Sequence, residues 1–314
     1  MTLLQLIEDL DPSFDVLGCA LSIKLDGQRC FWDGGITRGK PKADCPWANT
    51  MKDGRYRDEQ IATGLWSRYG HVIHAPDWWL DKLPLDRCLD GELYSDQLKR
   101  EELFSIVKTQ VPDSRWNRVS YNIFELVPYN LFFTDRKLGI GAKSWGHMVG
   151  SKCRDHYFPG FANPPGPSAA LTFRSSLTLL DRGNWQNDVI QYIQNQTVTD
   201  TSQVRNLFDY VQSINGEGIV VRTMDRWWTP KRVDWVRRLK TLRYGEGVVV
   251  DVTEGLGRLD GMIGALVLES GLKVAGLGDA ARSLDNWVGK RIKYAYRETS
   301  KYGVPLEARF KEIL

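Results

Sequence analysis

Lys24-Leu25-Asp26-Gly27-Gln28-Arg29 sets an amine, a carboxylate and a guanidinium in one short stretch, directly after the apolar residues 16–23. An apolar run of this kind reads as a buried strand. A lysine at its end can lose its proton more readily than one in water. Desolvation or a neighbouring cation lowers an ordinary pKa of about 10.4. A neutral amine in a pocket is a nucleophile. Asp26 can carry a metal ion beside it, and the forked donors of Arg29 suit a phosphate or a ribose. Alone, the stretch also fits a strand-end lysine followed by an Asp-Gly turn.

Further groups follow in chain order: Leu65-Trp66-Ser67-Arg68-Tyr69-Gly70, Leu89-Asp90-Gly91-Glu92-Leu93, Tyr121-Asn122-Ile123-Phe124-Glu125, Glu217-Gly218-Ile219-Val220-Val221-Arg222 and Arg238-Leu239-Lys240. In this order they resemble the motif series of the covalent nucleotidyltransferases, the superfamily of DNA ligases, RNA ligases and mRNA capping enzymes. Within it the chain looks like the compact ATP-dependent DNA ligases of phage and viral type. The resemblance covers nearly the whole chain, from about residue 16 onward.

The resemblance implies a role for each group. Lys24 attacks the α-phosphate of ATP, becomes a lysyl-N-AMP phosphoramidate and expels pyrophosphate. Asp26 and Glu217 flank the pocket and hold hydrated Mg²⁺, with Mn²⁺ admissible. An ion that prefers oxygen and keeps several waters needs only one or two carboxylates. Glu92 accepts from the ribose hydroxyls, since a carboxylate can take two donors, while Asp90 supports the turn. Phe124 stacks on adenine, a contact worth roughly 1–3 kcal/mol per base. Arg29 and Arg68 contact ribose or the 5′-phosphate of a nicked strand, with Arg38 as the rival of Arg68. Arg238 and Lys240 are cations near the α-phosphate. The usual pattern has lysine at both positions, so Arg238 is a departure that keeps the charge but is bulkier and never neutral. For the basic C-terminal motif that orients pyrophosphate in larger members, the candidates are Arg309 and Lys311.

These residues need strands and turns to hold them. Residues 20–23, 119–124 and 218–222 read as strands. Residues 96–110 place Leu98, Ile106 and Val107 on a helical period, and residues 199–214 place Val204, Leu207, Phe208 and Val211 on one face, with Thr199 or Asp200 able to cap. Strands and helices do not alternate regularly, which favours α+β over a doubly wound sheet. Residues 244–314 read as short strands separated by glycines, as in a small barrel, and an OB-fold is the natural candidate. The expected domains are therefore 1–243, the adenylylation part, and 244–314, with Tyr244-Gly245-Glu246-Gly247 as hinge. Residues 33–64 and 140–175 read as insertions, and loops of that length are usually functional or disordered.

Composition narrows the classes. At 314 residues and 42% hydrophobic content, the chain can bury a sizeable core and suggests about two domains. No apolar run is long enough to span a membrane. The N-terminus lacks a basic n-region, so the expected location is the cytoplasm, or the host cytoplasm for a viral protein. Five cysteines without a CxxC argue for reduced thiols. Cys153 and His156 have no readable partner for thiol chemistry, and His71-x-x-His74 has no thiol or carboxylate placed to complete a zinc site. Of the twelve tryptophans, most are expected in the core or as surface wedges, with some free to stack on nucleotides. A net charge of +3 says little about nucleic acid. Residues 127–176, however, carry six cations against two carboxylates. Lys143, Lys152 and Arg154 in that stretch are the candidates for gripping DNA phosphates.

The expected function is sealing of 3′-hydroxyl/5′-phosphate nicks in duplex DNA with ATP, by a monomer with no membrane partner. The alternatives are an RNA ligase, a GTP-using capping enzyme, or a non-catalytic nucleic-acid-binding protein on a decayed scaffold. Intact Lys24, Asp26 and Glu217 argue against decay. An NAD-dependent ligase is disfavoured because no further domain precedes Lys24 and no zinc cluster follows.

Overall fold

Alternation of side chains across strands builds two differently lined faces in the N-terminal part of the chain. A computed structural model describes residues 4–45, 48, 60–85, 87–127, 172–226, 228, 231–282, 286–300 and 302–314. The chain divides at Met1–Leu239 and Lys240–Leu314, against the boundary expected at 243/244. In the first part, the strands are β1 (Leu6–Asp9), β2 (Ala20–Lys24), β3 (Gln28–Asp33), β4 (Leu65–Ser67), β5 (Cys88–Tyr94), β6 (Ser120–Leu126), β7 (Ile190–Tyr192), β8 (Gln196–Thr197), β9 (Gly218–Arg222) and β10 (Arg232–Lys240). The helices are α1 (Asp77–Leu80), α2 (Arg100–Val107), α3 (Phe173–Gly183) and α4 (Ser202–Ser213). One sheet runs β1-β10-β9-β2-β8 and the other β4-β3-β5-β6-β7. Most neighbours are antiparallel, while β1 with β10 and β6 with β7 are parallel.

Period-two alternation sends Leu21 and Ile23 of β2, and Ile219 and Val221 of β9, to one side. There they pack with Val204, Leu207, Phe208 and Val211 of α4. This is the helical face expected from the sequence. The helix starts two residues later than its capping groups: Asp200 accepts from the Ser202 N–H at 2.7 Å, and Gln203 accepts from the Thr199 N–H at 2.7 Å. Ala20, Ser22 and Lys24 are left for the other face of the sheet. In the second sheet Leu89 and Leu93 of β5 and Tyr121 and Ile123 of β6 enter a large core with Leu103, Ile106 and Val107 of α2. Asp90, Glu92, Asn122 and Phe124 face away from it.

A bulge modifies that rule in β6. Gly91 pairs with Ile123, but Asp90 pairs with Glu125, so Phe124 is the extra residue. Ile123 and Leu126 are both core residues although they are three apart. Phe124 and Glu125 are thereby both turned off that core. Five of the described tryptophans fill interiors: Trp32, Trp66, Trp79, Trp116 and Trp228 are fully buried. Trp79 meets Trp116 edge-on at 5.0 Å and donates from its indole to the Val119 carbonyl at 2.9 Å.

The second part contains β11 (Arg243–Glu254), β12 (Ile263–Leu268), β13 (Lys273–Val274), α5 (Asp279–Arg282), β14 (Arg291–Tyr296), β15 (Glu298–Thr299), β16 (Pro305–Leu306) and β17 (Arg309–Ile313). Its sheet has the order β13-β12-β11-β14-β17 around Val249, Leu266, Leu268, Trp287 and Ile292. Here one expectation is corrected. Gly245-Glu246-Gly247 is no hinge but lies within β11, paired with Tyr294, Lys293 and Ile292 of β14. A Cβ on Gly245 would sit 2.6 Å from the Tyr294 ring. The glycine is needed for close packing, not for bending.

Candidate active site

A cavity open to solvent lies in the first part, where the free face of β2 and β9 meets that of β3, β5 and β6. Lys24, Arg29, Glu92 and Phe124, four of the residues singled out by their motifs, line it. Gly27 makes the chain turn possible between β2 and β3. A Cβ there would lie 2.1 Å from the Leu93 carbonyl oxygen, so no side chain fits.

Lys24 ends β2 opposite Gly218. Its Nζ donates to Glu217 Oε2 at 2.6 Å, and both side chains keep limited solvent contact, at 18% and 13% exposure. The pair spans 193 positions in sequence. Glu217 therefore has a structural partner, although none was readable from its neighbours in the chain.

Arg29 is held more tightly. Its Nε and Nη2 donate to the two carboxylate oxygens of Asp90, each at 2.6 Å. Its guanidinium lies 4.9 Å from the centre of the Phe124 ring. Burial opposes the arginine's charge, but Asp90, Glu92 and Glu125 outweigh it and raise its pKa. Asp90 also accepts from the Trp228 indole at 2.8 Å. The expectation that Asp90 merely supports a turn is corrected: it is a mid-strand residue, 1% exposed, that anchors Arg29.

A second ion pair joins Arg222 of β9 to Glu125 of β6. The Arg222 guanidinium sits 4.3 Å from the centre of the Phe173 ring, and both residues line the cavity. Burial pushes the Glu125 carboxyl up to about 7 against the pull of Arg222, and it lowers the pKa of Arg222. Burial likewise pushes Glu92 up to about 7, against Lys24 and Arg29 and with the help of Glu217 and Asp90. Asp90, Glu125, Arg222 and Phe173 carry much of the site, yet motif reading gave Asp90 only a turn to support and the other three no role. The one sequence signal was the three-residue spacing of Ile123 and Leu126, which breaks strand alternation at Glu125.

The remaining candidates stand apart from the cavity lining. Asp26, in the turn after β2, accepts from Arg100 Nε at 2.9 Å. Arg68 donates to the Tyr69 hydroxyl at 2.6 Å and stacks over its ring. Its rival Arg38 is bound at both ends of its fork, to Asp77 and Asp81 of the α1 region, each at 2.7 Å. Arg238 donates to Asp9 at 2.7 Å across the β1–β10 ladder, and Arg237 beside it meets Glu8 at 2.8 Å. Lys240 opens the second part of the chain. Lys143, Lys152 and Arg154, most of the 140–175 insertion and part of the 33–64 insertion lie outside the described residues. Arg174, from the same basic stretch, pairs with Asp225 at 2.9 Å.

No group of three or more metal-ligating side chains forms among the described residues. A hydrated ion needs fewer, and Glu217 beside Lys24 is a carboxylate of the right kind. None of the helices described is long and apolar enough to cross a membrane.

Comparison with known proteins supports the motif reading. Residues 254–313 match the family model described as DNA ligase OB-like domain. A DNA ligase of Haemophilus influenzae is 24% identical over 294 residues, covering 92% of this chain and 84% of that protein. A solved structure from a structure–function analysis of Lig E DNA ligases, concerned with DNA binding by a minimal scaffold, superposes with a TM-score of 0.69 at 20% identity. It covers 99% of this chain and 98% of that one. A second structure, Pmar-Lig_Pre, gives a TM-score of 0.63 at 19% identity, covering 99% and 67%. The expected α+β fold, a nucleotidyltransferase domain followed by an OB domain, is that of these structures, and the resemblance to compact DNA ligases is borne out.

Proposed function

We propose that this chain is an ATP-dependent DNA ligase that seals nicks in duplex DNA through a lysyl-AMP intermediate. The observation that carries the reading is Lys24 at the edge of a cavity whose walls suit AMP: an amine beside Glu217, a carboxylate at Glu92 and an aromatic ring at Phe124. In the first step Lys24 Nζ bonds to the α-phosphorus of ATP and pyrophosphate leaves. Glu217 is the carboxylate within reach of the proton that Nζ must give up. AMP then passes to the 5′-phosphate at a nick, breaking the P–N bond and restoring the lysine. Finally the 3′-hydroxyl attacks that 5′-phosphate and expels AMP. Mg²⁺, when bound, neutralises charge developing on the phosphates, and Glu217 is the residue suited to hold its waters. Glu217→Ala should slow self-adenylylation on the order of 10–100-fold, with partial recovery at high Mg²⁺. A wild-type rate across the Mg²⁺ titration would refute that role.

Arg68 and Lys240 remain candidates for the 5′-phosphate and α-phosphate contacts. Arg238 would have to leave Asp9 to join them. The phosphate grip assigned to Lys143, Lys152 and Arg154 rests on their charge. A cytoplasmic location and a monomeric state belong to the same proposal.

Glu92 makes the reading pH-sensitive. With its carboxyl near 7, it carries a proton below that pH, while above it both oxygens accept from the ribose diol. The KM for ATP should fall as pH rises through about 7, and Glu92→Gln should lack this step. Stability runs the other way. The folded chain keeps the protons of Glu92 and Glu125 after the unfolded chain has lost them. Their contribution is full below about 4.5 and is lost as pH rises to about 7. A urea midpoint that climbs over this window would contradict the assignment.

The deciding experiment offers the purified chain α-labelled ATP, GTP or adenylate-labelled NAD with Mg²⁺, and then nicked duplexes of DNA or RNA. Covalent labelling by ATP and sealing of the DNA nick are expected. Labelling by GTP alone would make the chain a capping enzyme, and preference for the RNA nick would make it an RNA ligase.

A further inference from the structure

One polar residue in the cavity has its hydrogen-bonding direction fixed by the backbone. Asn195, in the loop between β7 and β8, lines the cavity and donates from Nδ2 to the Ile193 carbonyl at 2.8 Å. A carbonyl oxygen only accepts, so this bond sets which way the amide is turned. Oδ1 is the end of the amide left unanchored and it accepts, while the anchored Nδ2 keeps one further N–H. The loop itself is tied down, because the Ile193 N–H donates to the Ile123 carbonyl at 3.1 Å, next to Phe124.

The strand register puts Asn195 on the cavity side of β2. The β2–β8 ladder pairs Ala20 with Thr197 and Leu21 with Gln196. Continued by one step, it sets Asn195 beside Ser22. Ser22 shares a face of β2 with Lys24, one strand period away, and also lines the cavity. Its hydroxyl can donate or accept and so does not choose between ligands. Asn195 does choose.

We propose that Asn195 Oδ1 accepts from the exocyclic amine of the bound base, which makes Asn195 a specificity-determining residue for adenine over guanine. This rests on the reading of the cavity as an AMP site. Adenine presents a 6-amino donor where guanine presents a carbonyl. A fixed acceptor pairs with the first and is left unpaired, facing a second acceptor, by the other.

The test compares self-adenylylation at subsaturating ATP with that at subsaturating purine riboside triphosphate, which lacks the amine, in wild type and in Asn195→Ala. Wild type should favour ATP by about tenfold, the effect of one good hydrogen bond. In Asn195→Ala the two rates should converge because only the ATP rate falls, and GTP should gain relative to ATP. Each ratio is taken within one protein, so a general loss of folded enzyme cancels. Asn195→Leu, which keeps the volume, repeats the measurement if the alanine protein does not fold. An unchanged ratio in both variants, or equal losses with both triphosphates, overturns the proposal while leaving the ligase reading standing. Failure of wild type to form any lysyl–nucleotide adduct overturns both.

Discussion

Lys24→Ala protein incubated with α-labelled ATP and Mg²⁺ forms no labelled adduct and fails to seal a nick with ATP, yet it still seals a nick that already carries 5′-AMP. The loss should be complete, because the P–N bond can form only at this amine and no other described lysine lines the cavity. The later steps use AMP already on the DNA and do not need the amine. Alanine also leaves Glu217 without its 2.6 Å partner. Lys24→Arg separates the two consequences. A guanidinium keeps a cation beside Glu217 but is never neutral and cannot serve as the nucleophile. It should show wild-type folding by circular dichroism and denaturation, with no adduct. An acid-labile AMP adduct on either variant would show that the nucleophile lies elsewhere.

Asp90→Ala should cost about 3–5 kcal/mol of stability, the range for removing one partner of a buried ion pair. The carboxylate is 1% exposed and receives three donors, two from Arg29 and one from the Trp228 indole. Removing it leaves a guanidinium and an indole N–H facing a void. Arg29 then loses what holds it over Phe124, so self-adenylylation should fall beyond what reduced folding explains. Asp90→Asn keeps the shape and one acceptor, and should retain more stability than alanine. Urea denaturation gives the first quantity and the adenylylation rate of folded protein the second. A loss under about 1 kcal/mol, the scale of an exposed pair, would mean that Asp90 is no anchor.

The contrast between these residues shows which kinds of information each level carries. Lys24, Asp26 and Arg29 lie close together in the chain because a strand end and its following turn present them together. Their chemistry is therefore legible as a local pattern. The same holds for the Glu217 turn, for the apolar face of α4 and for the glycine-punctuated strands after residue 244. Each depends on spacing within one element. Gly27 belongs here too, since an Asp-Gly turn after a strand is a local event, although the atom that excludes a side chain, the Leu93 carbonyl, is remote.

By itself, then, the sequence determined the order of the motifs, the α+β class and the two-part architecture, and it carries the covalent chemistry proposed for Lys24. The tertiary structure alone decided which charges meet. Arg29 finds Asp90 across 61 positions, Glu125 finds Arg222 across 97 and Trp228 finds Asp90 across 138. Arg238, read as a cation for phosphate, lies instead against Asp9, because β1 and β10 run side by side. Alternation tells which face of a strand a side chain takes, but not which strand lies opposite. A charge is free for a ligand or committed to the fold according to the distance and burial of its partners, and those arise only when the sheets come together.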